Sequence, residues 1–390
     1  MKTSPRRGPA SSKIRFFMES AIREMSALAD ATGAVNLAVG SPDFPAPPAL
    51  KRAAIAAIRG DNNQYEVNAG SIKLRRAIAE KVGRYNRIEA NAEDNVTVTC
   101  GSTEAITAAM VALTEAGDKV IIPEPFYESY VPATIISGAK AIHVRLEEPG
   151  FAFREEDLKA AFSQRPRVIL VNTPNNPTGR VFSASELRTI ADLCEDYDVI
   201  AITDEIYERI IYDGKTHVSL AAIGNMHERT VTVSGMSKTY SITGWRVGYA
   251  VAEKRLTKSI RTIHDFLTVC APSPFQEAAL RALQLPESYY RRLTQIYEKK
   301  RRYMTRSLSE LGFNFQPPEG AYYIFADFEQ IRKVDDYAFA EWLVKEVGVA
   351  VVPASSFYAD RSGGRSMVRV AFPKKEATLR EAVDRMKKKL

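Results

Sequence analysis

The stretch Thr230-Val-Thr-Val-Ser-Gly-Met-Ser-Lys238-Thr-Tyr-Ser-Ile-Thr-Gly-Trp-Arg246-Val-Gly-Tyr-Ala places one lysine between two apolar runs. The β-branched run before the lysine predicts a short buried strand, and the run that follows Arg246 predicts a second one. Lys238 therefore lies in a loop of small and hydroxyl-bearing residues that ends in an arginine. Such a loop suits a phosphate group, and its lysine could bond an aldehyde as a Schiff base. A surface lysine in a polar turn is the simpler interpretation until other residues support the first one.

Upstream of this stretch, apolar runs of strand length alternate with segments of helical spacing. Strands are predicted over 95–100, 119–122, 141–146, 167–172 and 199–203. One of the helices between them, 183–197, begins with a serine cap at Ser183 and has Glu186 three residues later. Strands that are apolar on both faces and connected by helices predict an α/β fold with a mostly parallel sheet, covered by helices on both faces. Ligands of such sheets bind at the carboxyl ends of the strands.

The rest of the chain predicts a second, smaller unit. Further helices are expected over 14–31, 47–58, 71–85, 126–136, 275–283, 288–311, 337–347 and 376–389. After Pro272 the regular alternation ends, and strands are expected over 321–326, 349–352 and 367–372, which indicates an α+β arrangement. We therefore expect residues 1–45 to form an N-terminal arm and part of the small domain, residues 46–285 the large domain, and residues 286–390 the small C-terminal domain.

The composition is that of an ordinary globular enzyme. The chain has 390 residues, 45% of them hydrophobic and 26% charged. A net charge of +7 could indicate nucleic acid, but the basic residues are spread among 47 acidic ones, so no nucleic-acid partner is expected. Three cysteines without a CxxC motif predict free thiols and a cytoplasmic location, and no metal site is predicted. No signal peptide or membrane anchor is expected, because no apolar run approaches the ~20 residues that a spanning helix requires.

Three predicted strand ends carry polar side chains. Asn172-Thr-Pro-Asn-Asn176 follows one strand, Asp204-Glu-Ile-Tyr207 follows another, and Gly101-Ser-Thr opens a helix after a third. A tight turn, a capping acid and a helix cap would explain each pattern without any ligand. Together with Lys238 they supply an amide, an acid, a phenol, a phosphate seat and a lysine. This is the donor set that a pyridoxal phosphate site would use.

With these motifs the chain resembles the class I aminotransferases of fold type I, the pyridoxal-phosphate enzymes related to aspartate aminotransferase. The motifs Asn-Asn-Pro-Thr-Gly, Asp-Glu-Ile-Tyr, Ser-Lys-Thr-Tyr and Gly-Trp-Arg-Val-Gly-Tyr occur in the family's order and spacing. The resemblance runs from the Gly-Ser-Pro-Asp-Phe segment at Gly40 to the Val-Arg-Val-Ala-Phe segment at Val368, which is nearly the whole chain. It implies pyridoxal 5'-phosphate as the cofactor and a homodimer with shared active sites.

The resemblance also implies roles for individual residues. Lys238 would be the Schiff-base lysine, and Asp204 the acid that pairs with the pyridine nitrogen. Tyr207 and Asn176 would donate to the ring's phenolic oxygen. The phosphate would be held by Arg246, Ser102, Thr103 and Ser237.

Three further positions concern the ring and the phosphate. Tyr127 would stack on the ring, where relatives often have tryptophan. Tyr65 would reach the phosphate in the neighbouring subunit's site. Gly235 departs from the family, because many relatives have there a serine that binds the phosphate.

On the substrate side, Arg369 would clamp the α-carboxylate with its planar fork, which a lysine would not reproduce. Gly40 would contribute a backbone contact to the same carboxylate, and Asn176 and Tyr127 would also touch the substrate. Without the resemblance, a solvent-facing strand arginine would be the simpler interpretation of Arg369.

The implied reaction is a ping-pong transamination, in which Lys238 removes the α-proton and 2-oxoglutarate is the expected acceptor. A β-lyase or an aminocyclopropane-carboxylate-synthase-like reaction would use the same core residues. A cofactor-binding regulator would need a DNA-binding helical domain in front, and only a short arm precedes Ile14. Either aspartate-type or broad aromatic and neutral specificity would fit. The sequence pattern identifies no second cation for a distal carboxylate, and Phe16, Phe17 and the Tyr322-Tyr323 pair could line an aromatic pocket or belong to the core.

Overall fold

The computed structural model describes residues 19–390 together with residues 11, 14 and 17. In chain order the elements are α1 (Ala21–Thr32), β1 (Val35–Asn36), α2 (Pro48–Arg59), α3 (Ile72–Lys81), β2 (Val96–Thr99), α4 (Ser102–Leu113), β3 (Lys119–Glu124), α5 (Tyr130–Ser137), β4 (Lys140–Arg145), α6 (Glu155–Phe162), β5 (Val168–Asn172), α7 (Ala184–Asp196), β6 (Ile200–Asp204), β7 (Thr230–Gly235), β8 (Gly248–Val251), α8 (Lys254–Thr268), α9 (Ser273–Leu283), α10 (Glu287–Glu310), β9 (Tyr323–Asp327), α11 (Asp336–Trp342), β10 (Val349–Ala350), β11 (Val352–Pro353), β12 (Met367–Ala371) and α12 (Glu376–Lys387).

The central sheet has seven strands in the order β2-β8-β7-β6-β5-β3-β4. Only β8 runs antiparallel to its neighbours, so the predicted mostly parallel sheet is confirmed. Asn172 pairs with Asp204, and Asp204 pairs with Val233. The carboxyl ends of β5, β6 and β7 therefore lie side by side, which brings the predicted site residues of three distant segments together.

Successive side chains along the strands point to opposite faces of this sheet, and helices cover both faces. In β3, Val120 and Ile122 pack into a core with α4, α5 and α8, whereas Ile121 packs with α6 and α7 on the other face. A strand that is buried on both faces reads as a continuous apolar run, as the sequence shows. The helical layers on both sides are thus a direct consequence of these runs.

The C-terminal residues build two smaller sheets. Strands β11, β12 and β9 form an antiparallel sheet, and β1 pairs in parallel with β10 through Val35 and Val349. The segment after β1 stays on this unit, because Lys374 Nζ donates to the carbonyl of Ser41 at 2.8 Å and Asp43 accepts from the amide of Lys375. This segment also forms one side of the cavity described below.

Two predicted helix starts need correction, and one helix has no counterpart in the prediction. Helix α1 begins at Ala21 rather than at residue 14, because Ser20 caps it by accepting from the Arg23 amide; Met18, which the prediction included, lies outside the described residues. Helix α5 begins at Tyr130 rather than 126, because the Phe126 amide donates to the carbonyl of Phe357, between β11 and β12, and the chain turns there. Helix α8 was not predicted, although its apolar spacing was present in the sequence.

Within the described part of the chain, no helix is long and apolar enough to cross a membrane. Cys100, Cys194 and Cys270 are free thiols there.

Candidate active site

A cavity of about 550 Å³ lies where β5, β6 and β7 end. All but one of the predicted site residues line it: Gly40, Ser102, Thr103, Tyr127, Asn176, Asp204, Tyr207, Ser237, Lys238, Arg246 and Arg369. Tyr65 does not, and its side chain is 82% exposed. Phe17 is also not a lining residue, and Phe16 lies outside the described residues.

The carboxylate at the end of β6 is buried and oriented by two donors. Asp204 Oδ2 accepts from the Tyr130 hydroxyl at 2.8 Å, and Oδ1 accepts from the Ile206 amide at 3.2 Å. Burial raises the pKa of Asp204 to about 6, although these hydrogen bonds and the Lys238 ammonium act in the opposite direction. A cationic partner in the cavity would favour the ionised form of this carboxylate.

Lys238 follows β7 and enters the same cavity. Its Nζ donates to the carbonyl of Gly40 at 3.3 Å and lies 5.8 Å from the ring centroid of Tyr207. Burial lowers the pKa of Lys238 to about 8, with further lowering by the positive charge of Arg369. With a pKa of about 8, a minority of this amine is neutral near physiological pH, and that fraction can act as a nucleophile or a base.

A ring of phenols forms the wall beside Lys238. The hydroxyl groups of Tyr207 and Tyr323 are 2.9 Å apart, and the two rings pack edge to face. The Tyr322 hydroxyl donates to the Gly40 carbonyl at 2.8 Å. Of the predicted aromatic pair, Tyr323 lines the cavity, whereas Tyr322 is fully buried behind it.

The part of the cavity beside the start of α4 has the features of an anion site. Ser102 and Thr103 are the first residues of α4, whose unpaired amides and dipole favour negative charge. The Arg246 guanidinium lies across this terminus and donates to the carbonyls of Thr243 and Cys100 at 2.9 and 3.4 Å. Gly101 is required here, since its φ is +84° and a Cβ would lie 2.3 Å from Arg246 Nη2. This end of the cavity therefore suits a phosphate group.

The departure from the family pattern at Gly235 has a structural reason. It pairs with Gly248 between β7 and β8, and a Cβ at 235 would lie 2.9 Å from the Gly248 Cα. A serine would force these strands apart. The contact that relatives make with this serine is therefore closed to this chain.

Arg369 is not the solvent-facing strand residue of the simpler interpretation. Its side chain on β12 is 1% exposed and lies over the Tyr323 ring at 4.4 Å. Nη1 donates to Asn176 Oδ1 at 2.8 Å, and Nη2 donates to the Ala38 carbonyl at 2.7 Å. Among the described residues, Nε has no hydrogen-bond partner and no carboxylate pairs with the guanidinium. A buried cation of this kind is a strong site for a carboxylate ligand.

Two orienting residues were not singled out from the sequence. Tyr130 lies three residues after Tyr127, and the two rings pack edge to face with their centroids 5.7 Å apart. Asn172 opens the turn after β5, donates to the Asp204 carbonyl at 2.9 Å and accepts from the Asn176 amide at 2.8 Å. It thereby holds two strand ends at a defined separation.

Three residues of the turn after β6 line the cavity: Asp204, Ile206 and Tyr207. Glu205 and Glu208 of the same turn lie behind it and are buried. Glu208 bonds the Lys81 ammonium and accepts from Asn86 Nδ2 at 2.7 Å. Burial alone would raise the pKa of Glu208, but the Lys81 charge holds it below its ordinary value. No sequence signal distinguished these charged residues from exposed ones.

Glu205 completes this buried network. Its Oε2 contacts His217 Nε2 and the Ser219 hydroxyl, each at 2.6 Å, and its Oε1 accepts from Thr203 at 3.0 Å. One oxygen of each carboxylate and one imidazole nitrogen lie within 4.8 Å of one another, and Glu208 pairs with the Lys81 ammonium. Ion pairs and hydrogen bonds thus hold the turn after β6 from behind, which limits movement of its residues that line the cavity.

The donors in this cavity fit pyridoxal phosphate. The helix terminus with Arg246 suits the phosphate, the buried Asp204 suits a protonated pyridine nitrogen, and the partly neutral Lys238 suits the aldehyde. The Nε of Arg369, which has no hydrogen-bond partner among the described residues, is a donor available to a substrate carboxylate in the same cavity. Fold and donor set together define a pyridoxal-phosphate-dependent enzyme of fold type I.

Comparison with known proteins then specifies the family. Residues 32–386 match the family described as aminotransferase class I and II, and the chain belongs to it. It is similar to a probable N-succinyldiaminopimelate aminotransferase of Mycobacterium tuberculosis, with 37% identity over 385 residues that cover 96% of this chain and 97% of that protein. The solved structure of the Mycobacterium tuberculosis enzyme superposes with a TM-score of 0.93 at 38% identity, covering 97% of this chain and 99% of that one.

Two other relatives differ in their named substrates. A methionine aminotransferase of Escherichia coli is 36% identical over 364 residues, covering 93% of this chain and 94% of that protein. A human kynurenine–oxoglutarate transaminase is 34% identical over 399 residues, covering 94% of each. The chain is therefore an aminotransferase with pyridoxal 5'-phosphate as its cofactor.

Proposed function

We propose that this enzyme transfers the amino group of neutral and aromatic L-amino acids to an acidic 2-oxo acid, with 2-oxoglutarate as the acceptor. The observation that carries the proposal is the buried Arg369 guanidinium, which no described carboxylate neutralises and which lines the same cavity as Lys238. Apolar and aromatic side chains, including Ile22, Val39 and Tyr127, line the space beside it. The names of the relatives, with methionine and kynurenine among the donors, support the same breadth.

Substrate binding begins at Arg369. Three of its five N–H groups are free of the bonds to Asn176 and Ala38, and they would grip the α-carboxylate. The Arg369 bond also fixes the orientation of the Asn176 amide, so that its NH₂ group is the end available as a donor. Gly40 adds a backbone contact, and Tyr127 contributes an aromatic wall.

Bound pyridoxal phosphate supplies an electron sink for the negative charge that develops at the substrate's α-carbon. Asp204 holds a proton on the pyridine nitrogen, since its carboxylate would be ionised beside that cation. Tyr207 and Asn176 would donate to the phenolic oxygen. Lys238 would hold the aldehyde before the substrate arrives, and its Nζ would then accept the substrate's α-proton.

The cofactor's phosphate would bind Ser102, Thr103, Ser237 and Arg246, while Tyr127 stacks on its ring. We further propose a homodimer in which the exposed Tyr65 reaches the phosphate of the neighbouring site. The domain division at residues 45 and 285 belongs to the same proposal and is supported by the pairing of β1 with β10. A cytoplasmic location is proposed from the free thiols.

The pH dependence of cofactor binding follows from Lys238. Its amine is protonated below its pKa of about 8 and neutral above it, and only the neutral amine attacks an aldehyde. In cofactor-free protein, the rate of pyridoxal phosphate binding should rise with pH and level off above about pH 8, as followed by stopped-flow absorbance. A rate that keeps rising to pH 10, near the ordinary lysine pKa, would contradict the assignment.

The proposed activity is tested with a panel of amino acids and 2-oxoglutarate. Methionine and aromatic amino acids should give their 2-oxo acids and glutamate, and multiple turnovers should require the acceptor. A β-lyase or an aminocyclopropane-carboxylate-synthase-like enzyme would turn over repeatedly without any acceptor. Release of products under that condition would replace transamination with one of these reactions.

A further inference from the structure

A second cavity lies on the other side of the turn after β6, between that turn and α10. Its volume is about 860 Å³, and its lining includes Glu208 and Arg209, the two residues that follow Tyr207 in the chain. Of the described residues that line the candidate active site, none lines this second cavity. The second cavity is thus separate from the candidate active site and has no task in the reaction proposed above.

Arg209 is the buried cation of the second cavity. Its side chain is only 9% exposed, and its guanidinium carbon lies 3.4 Å from the ring centroid of Tyr85 and 4.2 Å from that of Tyr290. These rings attract the cation, but they supply no oxygen or nitrogen acceptor to its N–H groups. Among the described residues, no atom accepts a hydrogen bond from the Arg209 side chain, and the nearest carboxylate oxygen, on Glu287, is 3.7 Å from Nη1.

The burial of this guanidinium is not compensated by the residues around it. A buried charge costs free energy unless hydrogen bonds and an opposite charge offset the lost hydration, and a guanidinium has five N–H donors to satisfy. Glu287 offsets little, because its side chain is 61% exposed and the separation of 3.7 Å is longer than a hydrogen bond. The N–H groups of Arg209 are therefore available to an anion that enters the second cavity.

The other charges of the lining also favour an anion. Arg87 and Arg291 line the second cavity, are exposed, and make no side-chain ion pair with any described residue. The remaining acids of the lining are already paired: Glu208 with Lys81, Asp213 with Arg301, and Glu298 with Arg302. The lining thus has three uncommitted arginines and only one loosely paired carboxylate, that of Glu287.

We propose that the second cavity binds the phosphate group of a small organic phosphate, with Arg209 as the residue that grips it. The planar fork of a guanidinium donates two parallel hydrogen bonds to two oxygens of a phosphate. Three cations favour a phosphate monoester, with a charge near −2, over a single carboxylate. The cavity is far larger than one phosphate ion, which favours a monoester over the free ion. Binding there does not depend on the proposed transamination.

The test is a calorimetric titration of the holoenzyme, in which the cofactor's own phosphate fills the seat at α4. Inorganic phosphate and glycerol 3-phosphate should both bind, and the monoester should bind more tightly. In Arg209→Gln the affinity for glycerol 3-phosphate should fall about 10- to 100-fold, on the scale of a lost charged hydrogen bond. Arg292→Gln is the matched control and should leave the affinity unchanged, because Arg292 is exposed on α10 and does not line the second cavity.

Two further measurements separate loss of the site from a folding defect. Retained absorbance of the bound cofactor shows that Arg209→Gln protein is folded and loaded. Arg291→Gln changes an exposed residue of the same cavity and should weaken binding about two- to fivefold. Absence of binding to the wild-type holoenzyme, or equal affinity in the wild type and both cavity variants, would overturn the proposal. Tighter binding of inorganic phosphate than of glycerol 3-phosphate would overturn the assignment of an organic ligand.

Discussion

Lys238→Ala protein is expected to lose all measurable turnover and the near-visible absorbance of the lysine-bound cofactor. The substitution removes both the amine that holds the aldehyde and the group that moves the α-proton. A positioned general base alone contributes about 10²- to 10⁴-fold to a rate. The half-reaction with an amino acid, followed by absorbance in a single turnover, is the measurement. Retention of that half-reaction would refute the assignment of Lys238.

A second buried lysine offers a matched control for this result. Burial also lowers the pKa of Lys300 to about 8, but its Nζ lies over the Phe44 ring at 4.0 Å and does not line the cavity. Lys300→Met should therefore retain cofactor absorbance and turnover. Both lysines have a lowered pKa, so a loss of activity in the Lys238 variant alone would show that the position of Lys238 matters and not its lowered pKa by itself.

Arg369→Ala is expected to weaken amino-acid binding by about two orders of magnitude. A hydrogen bond to a charged group is worth roughly 1.5–3 kcal/mol, and each 1.4 kcal/mol is tenfold in affinity. The Asn176 and Ala38 acceptors would lose their donor as well, so part of the loss in affinity would come from disorder of the pocket. Titration of the cofactor absorbance with amino acid gives the affinity directly.

Arg369→Lys is the informative companion variant. It keeps the positive charge but cannot reproduce the planar fork, so binding should recover only in part. Cofactor absorbance should persist in both variants, because the phosphate end of the cavity is formed by other residues. Unchanged amino-acid affinity in Arg369→Ala would place the carboxylate clamp elsewhere.

Much of the site could be predicted from local sequence. Lys238, Asp204 and Asn176 each follow an apolar run, and parallel strands bring their carboxyl ends to one edge of the sheet. The family motifs then connected these residues with one cofactor. Helix boundaries were less predictable, since α1 and α5 begin where Ser20 and Phe126 make contacts with residues far away in the chain.

Other features have no local signal. Glu205 and Glu208 look like exposed acids in the sequence, yet they form a buried network because Lys81 and His217 arrive from other segments. Arg209 looks like any charged residue that follows a strand. Its burial depends on Tyr85 and Tyr290, which come from other segments of the chain.

The sequence by itself determined the alternating fold, the family and the residues that match its motifs, because hydrophobic periodicity and motif spacing are properties of short segments. Only the tertiary structure decided that Arg369 is buried without a carboxylate, that Gly235 leaves no room for a side chain, and that Arg209 is buried against two tyrosine rings. These properties depend on distances between segments that are hundreds of residues apart, as between Arg369 and Ala38. A charged residue becomes a candidate binding residue when its surroundings leave it without a partner, and those surroundings exist only in the folded chain.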